Sequence, residues 1–155
     1  MRFLFYDRIV EMQPGKHALA TKAISIGDEF LPEHYARKPI MPASLILESV
    51  TQVAGWLYIV TQNFAVSTVL GLAETVEILG EARPGETLEL EVWMQYGHRD
   101  GATLRGVARV GSREILRAGR LIFASRPLTD RASIEESREL FHYLSGGLAI
   151  DGVRG

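Results

Sequence analysis

The chain has 155 residues, the size of one ordinary domain, which excludes a large multidomain machine. Hydrophobic residues make up 46% and charged residues 23%, a globular balance that excludes wholesale disorder. Seventeen Lys and Arg against nineteen Asp and Glu leave a net charge of −2, and there is no cysteine, so no nucleic-acid partner, disulfide framework, thiol nucleophile or thiolate metal site is expected.

The opening, Met1 to Arg8, has an apolar run too short for a secretory signal, and Asp7 cuts it. Phe3 to Glu11 is aromatic and β-branched enough for a strand. Pro14-Gly15 marks a turn, and Ala18 to Ile26 returns as a second strand. Gly27 to Lys38 shows no period and contains Pro32, so it reads as a loop. From Ala43 to about Val60 the pattern is helical, and Pro42 suits the first turn. Leu45, Ile46, Val50, Val53, Ala54, Leu57 and Val60 cover most of that helix, which predicts a central helix wrapped by a sheet. No charge occurs from Ser49 to Ala73, but Thr51, Gln52, Thr61, Gln62, Asn63, Ser67 and Thr68 interrupt the run. The stretch therefore reads as a buried helix, a turn near Gln62-Asn63 and a buried strand, not as a membrane span.

The next strand runs from Thr68 to Leu79, and Arg83-Pro84-Gly85-Glu86 is a turn. Leu88, Leu90, Val92 and Met94 then alternate with Glu89, Glu91, Trp93 and Gln95, the period of a strand with one wet face. Asp100-Gly101 and Gly111-Ser112 are hairpin signals on either side of a strand carrying Leu104, Ala108 and Val110, and Arg113 to Ser125 completes a meander. Antiparallel strands with one long buried helix make an α+β domain over residues 1–126. Pro127 ends the pattern. Asp130 to Leu144 reads as a short amphipathic helix with Ile134, Phe141 and Leu144 near one face, stopped by Gly146-Gly147. Residues 127–155 are thus expected to form an extension packed on the domain or on a partner.

Chemistry has few places to sit. His17, His98 and His142 read as ordinary surface or half-buried residues. The histidines share no metal-ligand spacing, and phosphate-loop, GxGxxG and GxSxG motifs are absent. His34 lies in the irregular loop directly before the buried helix. Glu48 is the only charged residue from Ile40 to Ala73, in the middle of that helix. A buried carboxylate must be hydrogen-bonded, paired or protonated. Ser44, Glu48 and Gln52, four apart, form one stripe, which either faces water or a partner subunit or lines a polar spot in an apolar cavity.

The stretch from His34 to Gly55 resembles the signature of FabZ-type 3-hydroxyacyl-acyl-carrier-protein dehydratases. The acid stands fourteen residues after the histidine, and Pro39, Pro42, Leu45 and Gln52 match. Phe3 to Val10, with Asp7-Arg8 intact, Leu70-Gly71-Leu72 and Arg83-Pro84-Gly85-Glu86 extend the likeness over about residues 3–125. Three places depart from the pattern: Glu33 replaces the usual Gly, Tyr35-Ala36-Arg37 replaces Phe-Pro-Gly, and Ala43 replaces the Gly after the second proline.

The resemblance implies a hot-dog fold, an antiparallel sheet curled around one long helix. It implies a cytoplasmic homodimer, or a trimer of such dimers, whose shared sites take His34 from one chain and Glu48 from the other. The substrate would be a 3-hydroxyacyl thioester on acyl carrier protein or CoA, dehydrated to a trans-2-enoyl thioester without metal or organic cofactor. His34 would remove the C2 proton, since imidazole titrates near operating pH. The Ala43 N–H, at the positive end of the helix, would stabilise the thioester oxygen. Glu48 would protonate or polarise the departing hydroxyl, and Gln52 would hold Glu48. Gly71 is carried over as a substrate-binding position, and Leu45, Trp56 and Leu72 stand as candidate linings of an acyl tunnel or as plain core. Arg37 and Lys38 are placed to meet an acidic carrier protein. A hot-dog acyl-CoA thioesterase, a FabA-like dehydratase/isomerase and a noncatalytic carrier-binding subunit are the competing readings.

Overall fold

The computed structural model describes residues 4–31 and 37–150. Six strands, β1 (Arg8–Gln13), β2 (His17–Ala23), β3 (Val66–Ile78), β4 (Thr87–Gly97), β5 (Gly101–Val110) and β6 (Arg113–Pro127), form one antiparallel sheet in the order β1-β2-β4-β5-β6-β3. Helix α1 (Ala43–Thr61) packs against all six strands. Helix α2 (Arg131–Leu144) follows the last strand. The α+β reading of a sheet around one long helix therefore holds.

Helix α1 forms where its sequence is apolar nearly all round, and ten of its nineteen residues are buried. Pro42 is its N-cap, one position before the expected first turn, and the chain leaves at Asn63 and Phe64, both with positive φ. By length and composition alone α1 is long and apolar enough to cross a membrane, a test that a buried core helix also passes. That apolarity is spent on the core, where Ile46, Val50, Val53, Leu57 and Val60 are all at most 1% exposed. The sheet curls around it because the ladders slip at Ile9/Glu11, Leu70/Leu72, Met94/Tyr96 and Leu104/Gly106, and each such bulge bends its strand. Gly106 is required at the closest approach: a Cβ there would stand 2.3 Å from Val50 Cγ1 and 3.1 Å from Val92 Cγ1.

Two strand boundaries differ most from the sequence reading; the others shift by at most two residues, as where β3 runs Val66–Ile78 and β6 ends at Pro127. Phe3 is outside the described residues, and residues 4–7 do not pair as a strand; β1 starts at Arg8. There Phe5 N donates to Gln52 Oε1 (3.0 Å) and Tyr6 packs under α1, so helix contacts replace sheet partners. The second strand stops at Ala23, not Ile26, because Asp28 accepts from Ser25 N (3.0 Å) and turns the chain away. The turns at Pro14-Gly15, Pro84-Gly85 and Gly111-Ser112 fall as expected, each glycine at positive φ. Helix α2 is capped by Asp130, whose Oδ1 accepts from Ser133 N (2.7 Å), and the chain leaves it at Gly146 and Gly147 with positive φ. It buries Phe141 and Leu144 against the core.

Candidate active site

The site is built on α1. Glu48 sits half-buried in the middle of the helix, and Gln52, one turn on, donates from Nε2 to Glu48 Oε1 at 3.0 Å. The other end of that amide is also occupied, since Oε1 of Gln52 accepts from Phe5 N at 3.0 Å. With its oxygen committed to a backbone N–H, the amide presents its nitrogen to the carboxylate. Glu48 is thus oriented by a relay anchored on the N-terminal segment. Sequence reasoning placed Gln52 beside Glu48 but missed Phe5, because a backbone donor leaves no side-chain signature.

Ala43 is the first residue of α1. Leu45 N and Ile46 N already bond to Pro42 O, whereas the amides of Ala43 and Ser44 have no acceptor within the helix. Pro42 offers no side-chain cap, and no acidic residue lies in the first turn. The positive end of the helix is therefore left uncompensated by its own side chains, an arrangement suited to an oxyanion. Gly71 is exposed at the bulge of β3, where a Cβ would meet Ile122 O at 3.6 Å. His34, with Pro32, Glu33, Tyr35 and Ala36, lies outside the described residues.

Of the candidate linings, Leu45 and Trp56 are half-buried on α1, and Leu72 is 47% exposed on β3. Trp56 Nε1 donates to Tyr6 Oη at 2.5 Å. Burial, partly offset by that hydrogen bond, pushes the Tyr6 phenol up to about 12, so it stays protonated at ordinary pH. The other histidines match the reading as surface or half-buried residues. His17 Nε2 meets Glu91 Oε1 at 2.9 Å, while His98 and His142 are exposed. Arg37 and Lys38 lie with Ile26, Pro39, Arg83 and Pro84 around an open hollow of about 370 Å³, and both Lys38 and Arg83 reach Glu81.

A curled antiparallel sheet around an apolar helix that carries a single oriented carboxyl defines a hot-dog domain with a helix-borne acid. Solved structures of the same shape include the protein smu.793 of Streptococcus mutans bound to acetyl-CoA (TM-score 0.66, 14% identity, 84% of this chain and 96% of that one). A hypothetical thioesterase of Streptococcus pneumoniae with coenzyme A is another (TM-score 0.64, 12% identity, 79% and 90%). At such identities they establish the fold. The sequence goes further. A model of the FabA-like domain matches residues 1–119. The 3-hydroxyacyl-acyl-carrier-protein dehydratase FabZ of Pediococcus pentosaceus is 35% identical over 116 residues, 74% of this chain and 78% of the relative. That of Clostridioides difficile is 35% identical over 123 residues, 79% and 86%. The chain belongs to the FabA-like family and, within it, to the FabZ dehydratases.

Proposed function

We infer that this protein dehydrates a 3-hydroxyacyl thioester carried on acyl carrier protein, in fatty-acid biosynthesis. The observation that carries the reading is the Glu48–Gln52–Phe5 relay, a deliberately oriented carboxyl on an otherwise uncharged core helix, fourteen residues after a histidine. His34 takes the C2 proton. Electron density moves onto the thioester oxygen, which the amides at Ala43 and Ser44 stabilise. As the C2–C3 double bond forms, the C3–O bond breaks and the hydroxyl leaves with a proton from Glu48 as water. Gln52 keeps Glu48 aimed at that hydroxyl, and Gly71 contributes a substrate contact from β3.

The site is completed by a second copy, which supplies His34 to the Glu48 of its partner. Strand β3 is an edge of the sheet, thirteen residues long, and exposes Val69 (63%), Leu72 (47%) and Ile78 (67%). A long apolar edge of this kind is a template for strand pairing between copies. Residues 1–126 form the dehydratase domain and 127–155 an extension. Cysteine-free composition and an apolar helix used inside the core support a cytoplasmic location. Arg37 and Lys38, exposed close to the start of α1, are placed to meet the acidic carrier.

The test is hydration of a crotonyl thioester, followed by loss of the enoyl absorbance, with thiol release measured in parallel. Glu48→Gln and His34→Ala should each lower the rate by about 10²-fold or more, the usual worth of a general acid or base. Full activity in both variants, or thiol release in place of hydration, would overturn the assignment.

A further inference from the structure

Tyr6 and Asp7 precede β1 and lie outside its strand pairing, yet both are fastened. Asp7 N donates to Thr21 O at 2.7 Å, and Asp7 Oδ2 accepts from Ala23 N at 2.7 Å. Lys22, 8% exposed, is the only charged residue buried among the described residues. Its Nζ donates to Ala23 O at 2.7 Å and stands 3.7 Å from Asp7 Oδ1 and 3.5 Å from Asp28 Oδ2. Ala23, the last residue of β2, is thus gripped at its N–H by Asp7 and at its C=O by Lys22. A buried ammonium is costly unless paired, and the two carboxylates pair it. Tyr6, 2% exposed, accepts at Oη from Trp56 Nε1 at 2.5 Å. The Trp56 ring is braced in turn by Phe141, with centroids 5.5 Å apart at 54°, so the indole N–H has a fixed direction.

Next to these two fastenings is the Phe5 N–H, which donates to Gln52 Oε1 at 3.0 Å. Gln52 offers its Nε2 hydrogens to Glu48 only while its oxygen faces that donor, because a rotated amide would turn its oxygen to the carboxylate. We propose that Asp7 and Tyr6 are positioning residues for the dehydration: they fix the N-terminal segment so that the Phe5 N–H locks the Gln52 amide, and through it Glu48, in one orientation. The proposal rests on the dehydratase reading, which gives Glu48 its proton-transfer role. Phe5 is one residue from Tyr6 and two from Asp7, so loosening either fastening shifts the donor. A displacement of about 1 Å breaks such a bond, and at a reacting group it costs up to about 10²-fold in rate. A change of the Phe5 side chain leaves the backbone donor in place, so the effect is read at the side chains that hold the segment.

The experiment makes Asp7→Ala, Asp7→Asn and Tyr6→Phe in the full chain, each alone and combined with Gln52→Leu. Turnover of a crotonyl thioester gives kcat and KM, and heteronuclear NMR follows the side-chain amide of Gln52, assigned by its loss in Gln52→Leu. Asp7 is half exposed, so its substitution leaves no buried charge at position 7 to break the fold. Asp7→Ala and Tyr6→Phe should each lower kcat about tenfold with KM little changed, and each should move the Gln52 amide signals. Asp7→Asn, which keeps an oxygen for Ala23 N, should restore most of the rate and return the signals toward wild type. Beside Gln52→Leu the losses should vanish, because the Phe5 N–H then has no amide to hold. The positioning role is refuted if an active wild type loses no turnover on either substitution, if the Gln52 signals stay where they are, or if the losses persist in full beside Gln52→Leu, as a purely structural role would give. A wild type that hydrates no thioester, with Gln52 signals that still move, defeats the dehydratase reading and leaves the orienting role standing.

Discussion

The outer face of the sheet and the core helix treat charge in opposite ways. Across β4, β5, β6 and β3 runs a ladder of ion pairs: Glu91 with Arg109 (2.5 Å), Arg109 with Glu114 (3.6 Å), Glu114 with Arg117, Arg117 with Glu77 (3.3 Å), and Arg120 with Glu74 (3.2 Å). Most of these side chains are a quarter to a half exposed. Helix α1 carries one charge in nineteen residues, Glu48, answered among the described residues by the Gln52 amide. Exposed pairs are individually worth about 0–1 kcal/mol and serve mainly to keep a strand face wet. A lone carboxyl on a packed helix contributes nothing comparable to stability, and the acid role proposed for Glu48 accounts for its presence there. Charge density therefore marks the scaffold of this molecule, and charge isolation marks its candidate site.

The sharpest way to test that contrast is to neutralise Glu48. Glu48→Gln should cost about 10²–10⁴ in kcat, while its Tm stays level or rises, since removing an isolated charge from an apolar helix relieves desolvation. Gln52→Leu removes the orienting amide and leaves the carboxyl. It should lower kcat less than Glu48→Gln does, with KM little changed, and Gln52→Glu should not rescue it because the donor to Glu48 is lost. A Tm that collapses in Glu48→Gln would show that the carboxyl serves the fold and would erase the difference between the two regions.

Between the two regions lies the helix–sheet contact at Gly106, on which both depend. Gly106→Ala puts a methyl 2.3 Å from Val50 Cγ1, two residues from Glu48. The neighbours are packed, and overpacking of this kind costs about 1–3 kcal/mol. Chemical denaturation should show that loss, and kcat should fall with it as α1 is pushed off the sheet. Stability lost with kcat intact would mean that the helix carries its site independently of the sheet.

Much of this was legible in the sequence, and what was not has identifiable causes. The span of α1, the tight turns at glycines and the alternation of β4 follow from local rules: apolar coverage, positive φ and a period of two. So does α2, from its Asp130 cap to its double glycine. The spacing of His34 and Glu48, and the Gln52 amide one turn on, were readable as a motif. The strand order was not, since nothing local tells β3 to pair with β6 and become an edge. Residues 4–7 misled for a related reason. Phe5 and Tyr6 have the composition of a strand, but their partners are Gln52 and Trp56 on the helix. The meeting of Phe141 with Trp56 joins residues 85 apart along the chain, and no periodicity reports such a contact.

The smallest expected effect belongs to the ladder itself. Burial alone would raise the Glu91 carboxyl, but the hydrogen bonds and charges of Arg109 and His17 outweigh it and hold the group below its ordinary value of 4.5. In the unfolded chain that value is restored. As pH falls from about 4.5 the unfolded state takes up the proton first, so it binds more protons than the native state and stability declines. The contribution is fully present above 4.5 and gone once pH has passed below the depressed native value. Glu91→Gln should therefore flatten the acid limb of a plot of Tm against pH and leave the turnover of substrate near neutrality as it was. An acid limb as steep in the variant as in wild type would mean that other carboxylates of the ladder carry the acid sensitivity. A fall in neutral turnover would mean that the outer face of the sheet reaches the chemistry after all.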